Sequence, residues 1–355
     1  MKKITKIFAV LTAIVLTLTV GFGCSAKKEG TLEVYMPMGA PALAMAQLMA
    51  ERDSVTVKSA SKETEYKLNY HIVSASGASD SIANAVKTAK PDVALVPVNA
   101  AVTLLGTGGA DNGYADKYKI VSVNTHGNLF LLRKGSVPAD EVTKVAVKNL
   151  SAVPGLTYKA VLGAGNFTDN ESEASAQKQF LVNIGDDDQP VPFLTTRGFD
   201  AIVVPEPACT NIMNSPAATS LNLQKTSLQD AEIWGESKSY AQAVMIVRKN
   251  LATEEFVDRW NELMTEAANW LKQTNEDGTL KNAAAALKTL SDYRDNSGLT
   301  VPFSEGNLTK ECVEGCSVFV TSGVQAKSAV LDYLNKINSV VPGAIGVPTD
   351  EYFFV

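Results

Sequence analysis

Apolar residues in this chain fall into two kinds of run: short blocks bounded by Asp and Pro, and longer stretches at helical spacing. Residues 91–101 read Pro-Asp-Val-Ala-Leu-Val-Pro-Val-Asn-Ala-Ala, and residues 199–209 read Phe-Asp-Ala-Ile-Val-Val-Pro-Glu-Pro-Ala-Cys. An apolar block between Asp and Pro predicts a strand buried on both faces, as in a parallel sheet. The Pro stops the ladder, and Asn99 is then placed to cap a following helix.

The likeness extends upstream. Strand-like Leu32–Met36 leads through Pro37-Met38-Gly39-Ala40-Pro41 into an Ala/Leu/Met helix to Ala50. Strand-like Val145–Val147 leads through Ser151-Ala152-Val153-Pro154-Gly155 into a helix over 154–162. From Pro41 to Asp92 is 51 residues, and from Pro154 to Asp200 is 46. Chance resemblance between βαβ units gives such a pattern; two α/β lobes of one design facing each other across a cleft account for more of it.

Further strands are expected at Tyr66–Ser74, Tyr118–Asn124, Leu129–Arg133, Phe180–Ile184 and Tyr240–Lys249. The last echoes Asn128–Lys134, since both end in Arg-Lys, as suits a paired crossing between lobes. Short helices are expected over Ser81–Thr88 and Ala100–Leu105, and residues 163–176 read as a surface loop or frayed helix. From Thr253 the period becomes helical: Phe256, Trp260, Leu263, Met264, Ala267 and Leu271 share one face behind a capping start. Residues 282–293 and 325–337 continue as amphipathic helices, expected to cover the first lobe.

With 355 residues, 45% of them hydrophobic and 20% charged, the chain has enough material for two ordinary domains. A net charge of −6, with no basic block after the first thirty residues, argues against a nucleic-acid partner. Lys2, Lys3 and Lys6 precede an apolar run from Ile7 to Val20, which reads as a secretory signal over residues 1–23. Gly21-Phe22-Gly23-Cys24 resembles a bacterial lipobox, although Gly21 stands where Leu is usual. Lipidation at Cys24 would leave residues 24–30 as a tether; an ordinary cleaved signal or an uncleaved anchor is the alternative.

Cys209, Cys312 and Cys316 remain. Cys312 and Cys316 are candidates for a small disulfide loop, with free thiols as the alternative. No metal site is expected, because His71 and His126 lie far away in sequence. Asp186-Asp187-Asp188 lacks the spacing of a calcium loop and reads as a solvated turn.

Loops of small residues, Pro and hydroxyls that end strands and open helices suit polar or anionic ligands. They make ligand candidates of Met38, Gly39, Ala40, Pro41, Ser74, Ser76, Asn99, the loop Thr125–Asn128 with His126 and Asn128, Ser151, Pro154, Gly155, Thr157, Glu206 and Tyr240. Catalytic signatures are missing: no Gly-x-Ser-x-Gly elbow, no phosphate-binding Walker loop and no His-Glu-x-x-His helix appears. His126 reads as a hydrogen-bond donor or structural residue, and Glu206 as a ligand acceptor or a cap. Arg133 and Arg197 are expected on the surface rather than against an anion.

Met-Pro-Met-Gly-Ala-Pro-Ala-Leu-Ala (36–44), Asp-Ala-Ile-Val-Val-Pro-Glu-Pro (200–207), Tyr-Ala-Gln-Ala (240–243) and Val-Pro-Thr-Asp-Glu-Tyr-Phe-Phe (347–354) resemble the nitrate/sulfonate/thiamine-precursor group of ABC-transporter substrate-binding lipoproteins. The resemblance covers about residues 30–355. It implies an α/β, two-lobe type II periplasmic-binding-protein fold, with mixed, mostly parallel sheets flanked by helices and two crossings. Lobe one would comprise residues 31–129 and 243–355, and lobe two residues 130–242. It further implies a small polar or anionic ligand, sulfonate-like or a heterocyclic vitamin precursor. ABC permease and ATPase partners, lipid anchoring on the extracytoplasmic face of the cell membrane and no cofactor are implied as well. By position, its pocket would draw on Met38–Pro41, Ser74–Ser76, Asn99, Val153–Thr157 and Glu206. The alternatives are an enzyme of the same fold acting on a pyrimidine or menaquinone precursor, and a ligand-sensing lipoprotein without a permease.

Overall fold

The structure, a computed structural model, describes residues 30–75, 81–105, 117–185 and 188–355. The expected signal segment, Cys24, the tether up to residue 29, Ser76, and Asp186 and Asp187 of the acidic turn lie outside the described residues.

Thirteen strands form two sheets among the described residues. They are β1 (Gly30–Pro37), β2 (Ser54–Ser59), β3 (Lys62–Val73), β4 (Val93–Pro97), β5 (Tyr118–His126), β6 (Leu129–Arg133), β7 (Lys144–Lys148), β8 (Phe167–Thr168), β9 (Gln179–Ile184), β10 (Ala201–Pro205), β11 (Gln224–Ser227), β12 (Ala241–Arg248) and β13 (Val318–Ser322). The first sheet has the order β13-β5-β12-β4-β1-β3-β2 and the second β11-β6-β10-β7-β9-β8. The chain crosses from one to the other at residues 127–128 and returns over residues 228–240. This is the two-lobe α/β architecture.

The repeated block falls at equivalent places. In lobe one β4 lies parallel beside β1, and in lobe two β10 lies parallel beside β7. Val93–Val96 and Ala201–Val204 are buried to the last residue, which is why both blocks are apolar without alternation. The Asp that opens each block clamps its neighbour. Asp92 Oδ2 accepts from the Glu33 amide at 3.0 Å, and Asp200 Oδ2 accepts from the amides of Thr143 and Lys144 at 2.9 Å each. The echoing strands β12 and β6 are also equivalent, each running antiparallel against its lobe's repeated strand. Each is the first strand after a crossing, and the amides of Arg248 and Lys134 close onto the carbonyls of Asp92 and Asp200.

Both sheets are mixed. Parallel pairing is confined to β1 with β3 and β4 in lobe one, and to β7 with β9 and β10 and β8 with β9 in lobe two. Lobe one is therefore less parallel than expected: the strands that enter from the crossings, and the hairpin β2–β3, are antiparallel. The hairpin was not anticipated, although Ser54-Val-Thr-Val-Lys-Ser alternates with period two. The expected helix to Ala50 is two pieces, Ala40–Ala44 and Ala46–Glu51, broken at Met45. Asn99 lies within the first turn of the helix Val98–Leu105, which starts at the residue after the Pro, so it is not the cap.

Late helices cover lobe one as the periodicity implied. Glu254–Leu271 starts from Thr253, whose hydroxyl accepts from the Phe256 amide, and has Glu254 and Glu255 in its first turn, favourable beside the N-terminal dipole. Phe256, Trp260, Leu263 and Met264 are buried against the core under β1; removing a side chain of Trp260's size from such a site costs about 3–5 kcal/mol. Gly323–Val340 departs from the expectation, since its Tyr333 reaches lobe two. The Cys312–Cys316 bridge is not made; both are buried free thiols. They stand one turn apart on the helix Lys310–Gly315 and its C-cap, with the Cys316 amide donating to the Cys312 carbonyl at 2.9 Å. Helical i, i+4 Cβ atoms are about 5–6 Å apart, wider than the ~3.5–4.5 Å that a disulfide spans.

Candidate functional site

The carboxyl ends of β1, β3, β4 and β5 in lobe one and of β7, β9 and β10 in lobe two all lie on the side where the chain crosses, given the register of β12 and β6. In open α/β sheets that is where ligands bind. Here the two lobes meet in a seam, and its composition is unusual for a protein interior.

The end of β5 is polar and buried. Ser122, Asn124, Thr125, His126 and Asn128 are each at most 4% exposed. Some of this polarity is satisfied internally: Ser122 Oγ donates to Asn124 Oδ1 at 3.0 Å, and the Asn128 amide donates to Gln242 Oε1 at 3.0 Å. The Asn128 carbonyl accepts from the Glu206 amide at 3.0 Å. Yet Asn124 Nδ2, Thr125 Oγ1 and Asn128 Oδ1 have no partner among the described residues. Buried polar groups are nearly always hydrogen-bonded, and each one left open costs about 1–3 kcal/mol. Three such atoms within five residues, an amide donor, a hydroxyl and an amide acceptor, leave hydrogen-bonding capacity open at this point of the seam.

His126 is held flat against Phe319, ring centroids 3.5 Å apart and planes 5° apart, with Nε2 3.1 Å from Thr321 Oγ1. Its Nδ1 forms no well-shaped hydrogen bond. Burial pulls its pKa down to about 4, against a smaller opposing effect of the Ser317 backbone, so the ring is neutral at pH 7. Phe319 itself is 40% exposed, so this stack borders solvent.

Gly127, the pivot of the first crossing, has no room for a side chain: a Cβ would lie 2.5 Å from the Tyr240 ring and 2.7 Å from Gln229 Cγ. Tyr240 packs with Trp234 and Tyr333 at centroid distances of 4.7 and 5.7 Å. Its hydroxyl faces the backbone of residues 128 and 129. Tyr333 then hydrogen-bonds Thr157 of lobe two at 3.0 Å, so this aromatic cluster joins both crossings to both lobes.

From lobe two comes Glu206, whose side chain is fully buried. One oxygen accepts from the Thr210 amide at 3.0 Å and the other meets Lys225 Nζ at 3.1 Å. A Cβ on Gly315 of lobe one would lie 3.0 Å from that same carboxylate oxygen, so Glu206 is packed into the seam. It caps the helix Ala208–Met213 and carries a counter-ion. Cys209 beside it is no nucleophile: burial, aided by the charge of Glu206, pushes its thiol up to about 12. Ser317 Oγ donates to Gln229 Oε1 at 3.1 Å, and Asn211 Nδ2 donates to the Pro302 carbonyl at 3.2 Å, two more ties across the seam.

The remaining expected residues are placed as follows. The Met38 amide donates to the Val73 carbonyl at 2.9 Å, joining the ends of β1 and β3. Gly39 has φ 117°, a conformation that glycine tolerates and other residues resist, and a Cβ there would meet nothing within 4 Å. Ala40 and Pro41 form the first turn of the helix Ala40–Ala44. Asn99 is half-buried in its helix. Ser74 lines a lobe-one cavity of about 220 Å³ with Tyr35, Asn84 and Asp295. Ser151 is exposed, Pro154 occupies the first turn of the helix Val153–Leu162, and Gly155 is there because a Cβ would fall 2.0 Å from the Leu150 carbonyl oxygen. Sequence reading placed Thr125 in the candidate loop Thr125–Asn128 but missed Asn124. Its signal was a strand that ends in the polar run Asn124-Thr125-His126 instead of stopping at a turn. Among the described residues no group of three or more His, Cys, Asp or Glu is arranged to hold a metal.

No family model and no curated protein matches the chain. Solved structures do. An ABC transporter protein from Parabacteroides distasonis is 16% identical with a TM-score of 0.64, the match covering 92% of this chain and 99% of that one. The alkanesulfonate-binding protein SsuA from Xanthomonas axonopodis pv. citri, bound to MOPS, is 13% identical with a TM-score of 0.50, covering 91% and 97%. The periplasmic nitrate-binding protein NrtA from Synechocystis PCC 6803 is also 13% identical with a TM-score of 0.50, covering 92% and 85%. The chain shares their two-lobe binding-protein fold, nearly end to end.

Proposed function

We propose that this chain is the extracytoplasmic substrate-capturing subunit of an ABC importer, with the substrate held between the two lobes. The observation that carries the reading is the set of open hydrogen-bonding atoms on Asn124, Thr125 and Asn128, buried where both crossings and both sheets meet. A ligand that satisfies them pairs groups that otherwise weigh against the closed seam, so it favours closed over open lobes. The likeness in fold to a sulfonate-binding and a nitrate-binding protein supports a small polar or anionic solute. The open atoms are uncharged and the imidazole is neutral, so recognition runs through hydrogen bonds.

Binding, without turnover, is the function of this reading. The Cys209 thiol beside Glu206 is pushed out of the reactive range, and Glu206 is committed to Lys225 and a helix cap. The permease and ATPase of the importer are the protein partners, and an acyl chain on Cys24 is the membrane anchor. In this reading the lobes divide at the two crossings, within two residues of the expected boundaries at 129/130 and 242/243. The test is a thermal-shift and calorimetry panel of sulfonates, inorganic anions, pyrimidines and other small polar heterocycles. A ligand that binds only the native state raises Tm with its concentration. A hit whose affinity is lost in Asn128→Leu supports the seam; steady conversion of the ligand to product refutes the assignment as a carrier.

A further inference from the structure

Apart from the crossings and the aromatic cluster, the lobes meet where the helix Ala208–Met213 faces the irregular segment 301–309. The two belong to separate cores. Phe303 and Leu308 are buried in the core under β1, in lobe one, whereas Cys209 and Ile212 are buried with Phe130 and Phe193 in lobe two. The lobe-one segment carries a side-chain amide that is already held in place. Asn307 is 5% exposed; its Oδ1 accepts from the Ser304 amide at 2.7 Å, and its Nδ2 donates to the Pro302 carbonyl at 3.0 Å. An amide nitrogen has a second hydrogen and a carbonyl a second lone pair, so Asn307 and Pro302 present a donor beside an acceptor.

Asn211 of lobe two fits that pair. Its Nδ2 donates to the Pro302 carbonyl at 3.2 Å, and its Oδ1 accepts from Asn307 Nδ2. It is the exposed residue between buried Thr210 and Ile212, so it stands at the rim of the seam and fills no core of its own. Both bonds exist only while the lobes are together, and neither involves a ligand. They weigh for closure, where the open atoms of Asn124, Thr125 and Asn128 weigh against it.

We infer that Asn211 is a latch, which plugs into the Pro302–Asn307 pair and holds the lobes closed before any ligand arrives. A neutral hydrogen bond shifts an equilibrium about two- to tenfold net, so the two together raise the ratio of closed to open chains on the order of tenfold. Apparent affinity follows the share of chains in the competent state. On the capture reading, from which this consequence follows, the latch reduces the closing work that the ligand has to supply.

The test is run without ligand, so a silent ligand panel and a failed latch are separate results. Cys209 of lobe two and Cys312 of lobe one are both fully buried, and Cys312 is close enough across the seam to act on the Cys209 thiol. A buried thiol reacts only from states that expose it, so alkylation of the full chain by N-ethylmaleimide, mapped by mass spectrometry, reads opening of the lobes. Asn211→Ala should speed labelling of Cys209 and Cys312 together, about tenfold, with the urea midpoint unmoved. Asn214→Ala, exposed at the C-cap of the same helix, should label as the wild type does. Unchanged labelling in Asn211→Ala overturns the latch. A rise at Cys209 alone also overturns it, in favour of a loosened helix, and so does a rise that tracks a lower urea midpoint, which marks unfolding.

Discussion

Protonating His126 should destabilise the protein in a pH window that the structure sets. The ring is 4% exposed and its pKa falls to about 4 in the folded chain, against ~6.5 when unfolded. Between these values the unfolded chain binds the extra proton and the folded one does not, so stability falls as pH falls from about 6.5 towards 4. Integrating the two titrations, this one group removes about 2 kcal/mol between pH 7.5 and pH 5, and on the order of 3 kcal/mol once pH passes below 4. Carboxylates also titrate at the lower end, so the comparison must be with His126→Gln, which keeps a polar group but not the titration. Urea unfolding at pH 7.5, 6 and 5 should show the wild type losing about 2 kcal/mol more than the variant over that range. Parallel pH profiles for the two proteins would refute the reasoning, because a His that titrates alike in both states contributes no slope.

Further substitutions probe the frame of the site. Gly127→Ala drives a methyl into the Tyr240 ring and Gln229; urea unfolding should show a loss of about 1–3 kcal/mol. Lys225→Met leaves the buried Glu206 carboxylate with only the Thr210 amide. Stability at pH 7 should fall by about 3 kcal/mol, and the loss should shrink in the double variant with Glu206→Gln. Asp200→Ala removes the bonds to Thr143 and Lys144 that start β7 and should cost about 2–3 kcal/mol. Asp92→Ala, with one such amide bond and a partly exposed ion pair, should cost about half that in the same assay.

The doubled strand block was legible because burial on both faces leaves no freedom for alternation; Val93–Val96 and Ala201–Val204 announce themselves. The Asp before each block is visible in sequence, but its role is not, since Asp92 acts on a residue 59 positions away. β13 went unseen because its pairing with β5 is interrupted by a bulge and its Phe319 faces outward. The loops at Met38–Pro41 and Val153–Thr157 were found from Pro and Gly, which the backbone requires at Gly39 and Gly155. Asn124 was not found, and Thr125 only as the edge of the Thr125–Asn128 loop, because polar residues inside a strand carry no local signature of being left without partners. That property exists only after β5, β12, β13 and lobe two have closed around them. Glu206 was recognised as held between two prolines, while its counter-ion Lys225 lies on β11, a strand that exposed polar residues conceal.

The claim at the centre of this account is that a small solute occupies the seam against Asn124, Thr125 and Asn128. Native mass spectrometry of the purified protein, offered the best ligand from the panel, tests it most directly when run beside the Asn124→Leu/Asn128→Leu double variant. The account predicts one molecule bound per chain, released on unfolding, with occupancy in the double variant reduced tenfold or more, a ratio of about 1.4 kcal/mol or above. Undiminished occupancy in a folded double variant would place the ligand elsewhere and contradict it.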